Sequence, residues 1–191
     1  MYRTMGLLRL VGVEDGSFRP FNRRTLGTCL LCAVEMFGPK IEKVKVSPIT
    51  VDGLDATSKL SEMLRDMDFE AILLGGITFA GFNIINVQQI LKEYSRPIII
   101  FIRDRPDNRA VREALEKHFD DWRERWDIIK SLGPVHSTRT RPDEPPIYFE
   151  VLGASSQWAE EVLRLSAMLC RIPEPVRVAR LIARGLTLRG D

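Results

Sequence analysis

Two apolar runs without polar alternation, Ala71–Leu74 (AILL) and Ile98–Ile102 (IIIFI), constrain the fold of this chain more than any other feature. A strand with one wet face alternates apolar and polar residues. A short unbroken run is buried on both faces instead, the habit of parallel strands in an α/β sheet. Gly75-Gly76 follows the first run at once. Two glycines at a strand end allow a sharp turn or a close backbone approach to a ligand. Beyond Ile77–Gly81, the spacing of Ile84, Ile85, Val87, Ile90 and Leu91 is that of a helix. Strand, glycine turn and helix make half of a βαβ unit, and open α/β sheets bind ligands at such carboxyl strand ends. Gly75 and Gly76 are therefore candidate ligand-binding residues. The competing reading is a plain tight connection.

The remaining pattern supplies the neighbours of these strands. Leu7–Val13 reads as a first strand ending at Glu14-Asp15-Gly16, and Ser17–Arg24 as a polar loop. Thr25–Phe37 is apolar throughout and suggests a second strand, turning at Gly38-Pro39 into an alternating strand over Lys40–Val51 that breaks near Pro48. Asp55 or Thr57 can cap a helix carrying Leu60, Met63, Leu64 and Met67. Asp107 or Asn108 can cap another that runs to Ile129, followed by a Pro-rich loop over Gly133–Pro146. Ile147–Val151 is a last strand, and helices are expected from Gln157 towards Cys170 and over Val176–Gly185. Strands come first and then alternate with helices. That order predicts a mixed sheet of five to six strands with helices on both faces.

Composition narrows the class. A chain of 191 residues is of one-domain length, and 45% hydrophobic with 28% charged residues is ordinary for a globular protein. A net charge of +2 excludes a strongly polybasic binder but permits a local basic patch. Three cysteines make an odd number, which argues against a disulfide framework and for a reducing, cytoplasmic setting. Cys29 and Cys32 have metal-like spacing, yet on a strand residues three apart point to opposite faces. No signal peptide is apparent, and no apolar run approaches the roughly 20 residues that span a bilayer, so no membrane partner is expected.

Acids cluster at two strand ends, Glu14 with Asp15 and Asp52 with Asp55. Carboxylates gathered from several strand ends are how proteins hold Mg²⁺ or Mn²⁺, and such an ion can activate water against a phosphodiester. Asp-Gly pairs are equally ordinary turn formers, and Asp55 can serve as a helix cap alone. The motifs VEDGSF (13–18), TVDGLDAT (50–57), GGITFAGFN (75–83), HFDD (118–121) and RIPEPVRVARLIA (171–183) decide between these readings. They resemble those of a largely archaeal family of unknown function, the one numbered ninety-nine, from about residue 11 to residue 184. More distantly the chain resembles endonuclease V, a ribonuclease H-like nuclease.

The resemblance implies one endonuclease V-like domain over residues 1–191 and an endonuclease V-like, metal-dependent hydrolysis of nucleic acid. Glu14, Asp15, Asp52 and Asp55 become the implied catalytic residues, with Glu14, Asp15 and Asp52 as ligands of Mg²⁺ or Mn²⁺. It places Glu14 at the strand end that carries the nuclease's first aspartate, and Gly75 at a strand end that reads Asp-Gly there. Glu14 is one methylene longer than the expected acid, and Gly75 and Asn86 stand where acids are expected. The strand-separating Pro-Tyr-Ile-Pro wedge has no counterpart. These departures keep open a second reading, a non-catalytic module that binds nucleic acid or a protein through the same cleft. Arg103, Arg105 and Arg177, with Arg139, Arg141, Arg180 and Arg184, are the candidate phosphate contacts. Arg177 can also tie Glu174 at the start of the last helix.

Overall fold

A computed structural model describes residues 8–18 and 27–187. Leu7, Thr25 and most of the Ser17–Arg24 loop lie outside the described residues. The sheet is built from β1 (Arg9–Asp15), β2 (Thr28–Phe37), β3 (Lys40–Thr50), β4 (Ala71–Leu74), β7 (Ile98–Ile102), β8 (His136–Thr138) and β9 (Ile147–Leu152). β5 (Thr78–Phe79) and β6 (Asn83–Ile84) form a separate small hairpin. The seven-stranded order is β3-β2-β1-β4-β7-β9-β8, with β1, β4 and β7 parallel and the outer strands antiparallel.

The unbroken apolar runs occupy the centre, as a strand covered on both faces must. All of β4 is buried. Ile72 and Leu74 point to the face covered by α1 (Ala56–Leu64) and α2 (Val87–Tyr94). Ala71 and Leu73 point to the face covered by α5 (Ser156–Ser166) and α6 (Glu174–Thr187). Ile72, Leu73 and Leu74, fully removed from water, each contribute roughly 1.5–3 kcal/mol before entropy is counted. The strand spacing of the cysteine pair holds: Cys29 joins the first of these cores, and Cys32 a cluster with Val178, Ala179 and Ala183 of α6. No helix among the described residues is long and apolar enough to cross a membrane.

α6 lies unusually close to β1. A side chain on Gly12 would collide with the Pro175 and Val176 backbone, and one on Gly16 would reach the Ala183 carbonyl oxygen at 2.9 Å. Both glycines are set by this approach rather than by a turn.

Several sequence expectations need correction. The sheet has seven strands rather than five or six, because β8 lies inside the supposed Pro-rich loop. β3 continues unbroken through Pro48, which pairs opposite Leu30; an edge strand tolerates a residue that cannot donate. The segment after Gly76 folds as the β5–β6 hairpin, and the helix starts only at Val87, with Asn86 as its cap accepting from the Gln89 N–H at 3.1 Å. Asn86 thus fills a capping role where an acid was expected. The long helix to Ile129 is two, α3 (Asn108–His118) and α4 (Trp122–Lys130). They separate at Phe119, whose extended backbone turns its ring edge-on to Phe82 at 5.4 Å. α5 stops at Ser166, short of Cys170, and α6 starts two residues before Val176 with Pro175 in its first turn, a position where a missing N–H costs nothing.

Candidate active site

The parallel register sets Val13 of β1 beside Leu74 of β4, so the next residues, Glu14 and Gly75, are neighbours at the strand ends. The Gly75 N–H donates to the Val13 carbonyl at 2.9 Å and fixes that adjacency. A Cβ built on Gly75 would stand 2.5 Å from both Cδ and Oε1 of Glu14. The longer side chain of Glu14 has folded across into the space that a residue at 75 would fill. A side chain at 75 would have to push the Glu14 carboxylate aside, whereas Gly76 is glycine for its backbone, at φ 128°.

Burial pushes the Glu14 carboxyl up from 4.5 to about 7, with the charge of Asp15 adding to the rise. The Asp15 N–H, which donates to Glu14 Oε2 at 3.1 Å, and the cations of Arg180 and Arg184 oppose it. Burial also raises Asp15, against the Ala80 N–H that its Oδ2 accepts at 2.6 Å. Two half-buried acids side by side disfavour one another's ionisation. Such a pair can share a proton or meet a cation.

Asp52 approaches the same loop from the other side. Held in the left-handed region at φ 58°, it accepts from the Phe82 N–H at 2.8 Å, and its own N–H donates to the Ala80 carbonyl at 2.8 Å. Asp15 and Asp52 thus clasp Ala80–Phe82 between them. Asp55 is turned away from the pair: its carboxylate accepts from the Thr50 N–H, the Thr50 hydroxyl and Asn83 Nδ2. Burial works against its charge, yet those bonds outweigh it and hold its carboxyl below the usual range. The four expected carboxylates are brought to one end of the sheet in two different duties. Among the described residues no three His, Cys, Asp or Glu side chains gather closely enough to enclose a metal ion.

Two residues that the sequence reading passed over hold this arrangement together. Asn83 is fully buried; its Oδ1 accepts from the Ala56 N–H, while its Nδ2 donates to the Thr50 carbonyl and to Asp55. It closes the GGITFAGFN motif, which was its one visible signal. Arg125 of α4 is also buried and donates to the carbonyls of Asp52, Gly53 and Phe82 and to Asp121. Nothing in its local sequence separates it from the surface arginines around it.

The candidate cations divide as well. Arg180 and Arg184 lie near enough to the carboxylate pair to lower its pKa. Arg177 is taken up by Glu174, which it holds through Nε at 2.8 Å and Nη2 at 2.6 Å. Arg103 and Arg105 are exposed beyond the end of β7. Arg139 donates to the Glu144 carbonyl within its own loop, and Arg141 to that of Met168, tying the loop to the segment after α5.

Residues 7–187 match the model of the family described as endonuclease dU. A UPF0215 protein of Methanopyrus kandleri is 40% identical over 184 residues, covering 94% of this chain and 91% of that protein. A crystal structure of a protein of unknown function from Archaeoglobus fulgidus superposes with a TM-score of 0.80 at 29% identity, covering 94% of this chain and 98% of that one. Endonuclease V of Ciona intestinalis, solved with a DNA containing an inosine followed by a ribo-adenosine, superposes with a TM-score of 0.66 at 12% identity, covering 100% of this chain and 90% of that one. The fold is that of endonuclease V, a ribonuclease H-like mixed sheet with helices on both faces, as the motifs implied.

Proposed function

The chain belongs to the endonuclease dU family, and on that premise we propose that it is an endonuclease V-like nuclease, hydrolysing phosphodiesters of nucleic acid at Glu14 and Asp15. One observation supports this above the others: the Glu14 carboxylate lies in the space over Gly75. The acid missing from the end of β4 is supplied from its neighbour β1, one methylene longer and reaching across.

The donor set suits Mg²⁺ or Mn²⁺ of a particular kind. Two adjacent carboxylates with raised pKa values fit an ion that keeps several waters and takes its remaining ligands from a substrate phosphate, rather than one enclosed by protein. Glu14 and Asp15 would hold that ion, which supplies an activated water and charge stabilisation for the leaving oxygen. Glu14 would hold the ion as a carboxylate, so binding would compete with its proton. Asp15 is aimed by the Ala80 N–H. Asp52, Asp55, Asn83 and Arg125 are positioning residues that keep the Ala80–Phe82 loop in place. Arg180 and Arg184 of α6 face the pair and offer the phosphate its counter-charge, while Gly76 leaves the backbone open to approach.

The family description makes a DNA strand carrying deoxyuridine the first substrate to test, and the Ciona neighbour makes inosine the second. End-labelled oligonucleotides bearing either base, and unmodified controls, are incubated with Mg²⁺, Mn²⁺ or a chelator. Ion-dependent nicking that Glu14→Gln and Asp15→Asn both abolish is the expected result. No nicking of any substrate with either ion would overturn the nuclease reading. The absence of a third gathered carboxylate among the described residues favours the second reading, a non-catalytic binding module, and that outcome would select it.

A further inference from the structure

Away from the carboxylates, α3 and α4 frame a small open cleft of about 270 Å³ lined by Arg112, Trp122, Arg123, Trp126, Asp127 and Lys130. Its centre is a stack of planar groups. The Arg112 guanidinium lies over Trp122 at 5.8 Å and over Trp126 at 5.9 Å, and Arg123 covers Trp122 at 4.6 Å. Both indoles are partly buried, and both arginines are exposed. Three cations face one acid across the lining; Asp127 is engaged by Lys130 at 2.7 Å and Arg112 by Glu116 at 2.8 Å. The same helix carries Arg125 on its inner side, bonded to the carbonyls of Asp52 and Phe82 beside the candidate active site. One face of α4 thus bolts it to the site while the other presents rings and charge.

We propose that this cleft is a docking site for single-stranded nucleic acid, holding a base against the Trp122–Arg112–Trp126 stack and the flanking phosphates with Arg123 and Lys130. Aromatic faces with interleaved guanidinium planes are how proteins hold unpaired bases without reading sequence. The volume falls just short of ligand pockets, roughly 300 Å³ upward, which suits one base better than a larger ligand. A duplex hides its base faces and cannot use the stack. The proposal rests on the reading of this chain as acting on nucleic acid, and it adds where the strand is gripped away from the bond that is cut.

The test is binding of a fluorescent short oligothymidine to the full chain in a chelator, where no cleavage can occur. Trp158 is replaced by Phe so that quenching reports on the two cleft indoles alone. The single strand should quench that fluorescence and bind at least about tenfold more tightly than a duplex of equal length. Arg112→Glu with Arg123→Glu, both at exposed positions, should weaken binding about tenfold or more. The same variant should flatten the salt dependence by about 0.7 in slope for each phosphate it no longer neutralises. Unchanged affinity in that variant, or binding without quenching, overturns the proposal and points to a protein surface or to none. The outcome separates from that of the nuclease reading. Glu14→Gln should leave this binding intact, so cleavage without cleft-dependent binding sinks only the cleft. Cleft-dependent binding without cleavage of any substrate sinks only the nuclease.

Discussion

Glu14 should make the protein less stable as the pH rises, and the size of the effect follows from its surroundings. Its folded pKa is about 7 against 4.5 for an ordinary glutamate. At about 1.4 kcal/mol per pH unit, the difference of about 2.5 corresponds to about 3 kcal/mol. The native state holds this proton more firmly than the unfolded chain does. Stability from this group is therefore complete below pH 4.5, declines as the pH climbs, and is lost above about 7. Glu14→Gln keeps the shape and removes the charge, so it should match the wild type in acid and exceed it above neutrality. For a chain of this length that is a melting temperature higher by roughly 6–12 °C, at 2–4 °C per kcal/mol. Thermal melts of both proteins across the range measure the difference directly. Glu150, buried on β9, is also pushed up to about 7 by burial, so the wild-type curve alone is ambiguous; the difference between the two proteins is not. A difference that stays constant with pH would refute the account, since Glu14 would then carry no buried charge.

Other expectations follow from the same geometry. Gly75→Asp must displace the Glu14 carboxylate and add a third acid, so it should melt lower without metal and gain more from Mn²⁺ than the wild type does; an equal gain in the two proteins would show that position 75 is no ligand site. Gly75→Ala displaces Glu14 without new charge, and should lose nicking activity while gaining nothing from the ion. Arg125→Ala leaves the Asp52, Gly53 and Phe82 carbonyls short of a donor inside the protein, and denaturant titration should record a loss of about 3 kcal/mol or more. Gly12→Ala pushes Pro175 off the sheet, and should destabilise by at least about 1–3 kcal/mol in the same assay.

The sheet centre was legible because burial on two faces writes itself into residue type: AILL and IIIFI have no other economical reading, and they lie where expected, side by side in β4 and β7. The adjacency of Glu14 and Gly75 was legible only through family resemblance, since β1 and β4 are distant in sequence. Local spacing failed where tertiary contacts set the backbone. Ile84 and Ile85 keep helical spacing with Val87, but Ile84 belongs to a hairpin held by Asp15 and Asp52. Phe119 breaks a periodic helix to reach Phe82. The acid pairs looked alike in sequence and proved different, because what a carboxylate does depends on which donors surround it. Asp55 meets a hydroxyl and an amide, and Glu14 is stripped of water beside another acid.

The two glycines under α6 also act as a gauge of length. From Gly12 to Gly16 the strand advances roughly 13 Å at about 3.3 Å per residue. From Pro175 to Ala183, the helix residues seated on those glycines, the advance is roughly 12 Å at 1.5 Å per residue. Rise on one element is thus matched to rise on the other at two backbone contacts, like a vernier read at both ends. Arg180 falls between those marks and Arg184 just beyond, so the points on the helix from which both side chains start toward the acids are set by main-chain contacts. One residue inserted between Pro175 and Val178 would swing both arginines about 100° around the helix axis, and would carry Ala183 off Gly16 with them, so the second contact would be lost along with the counter-charge.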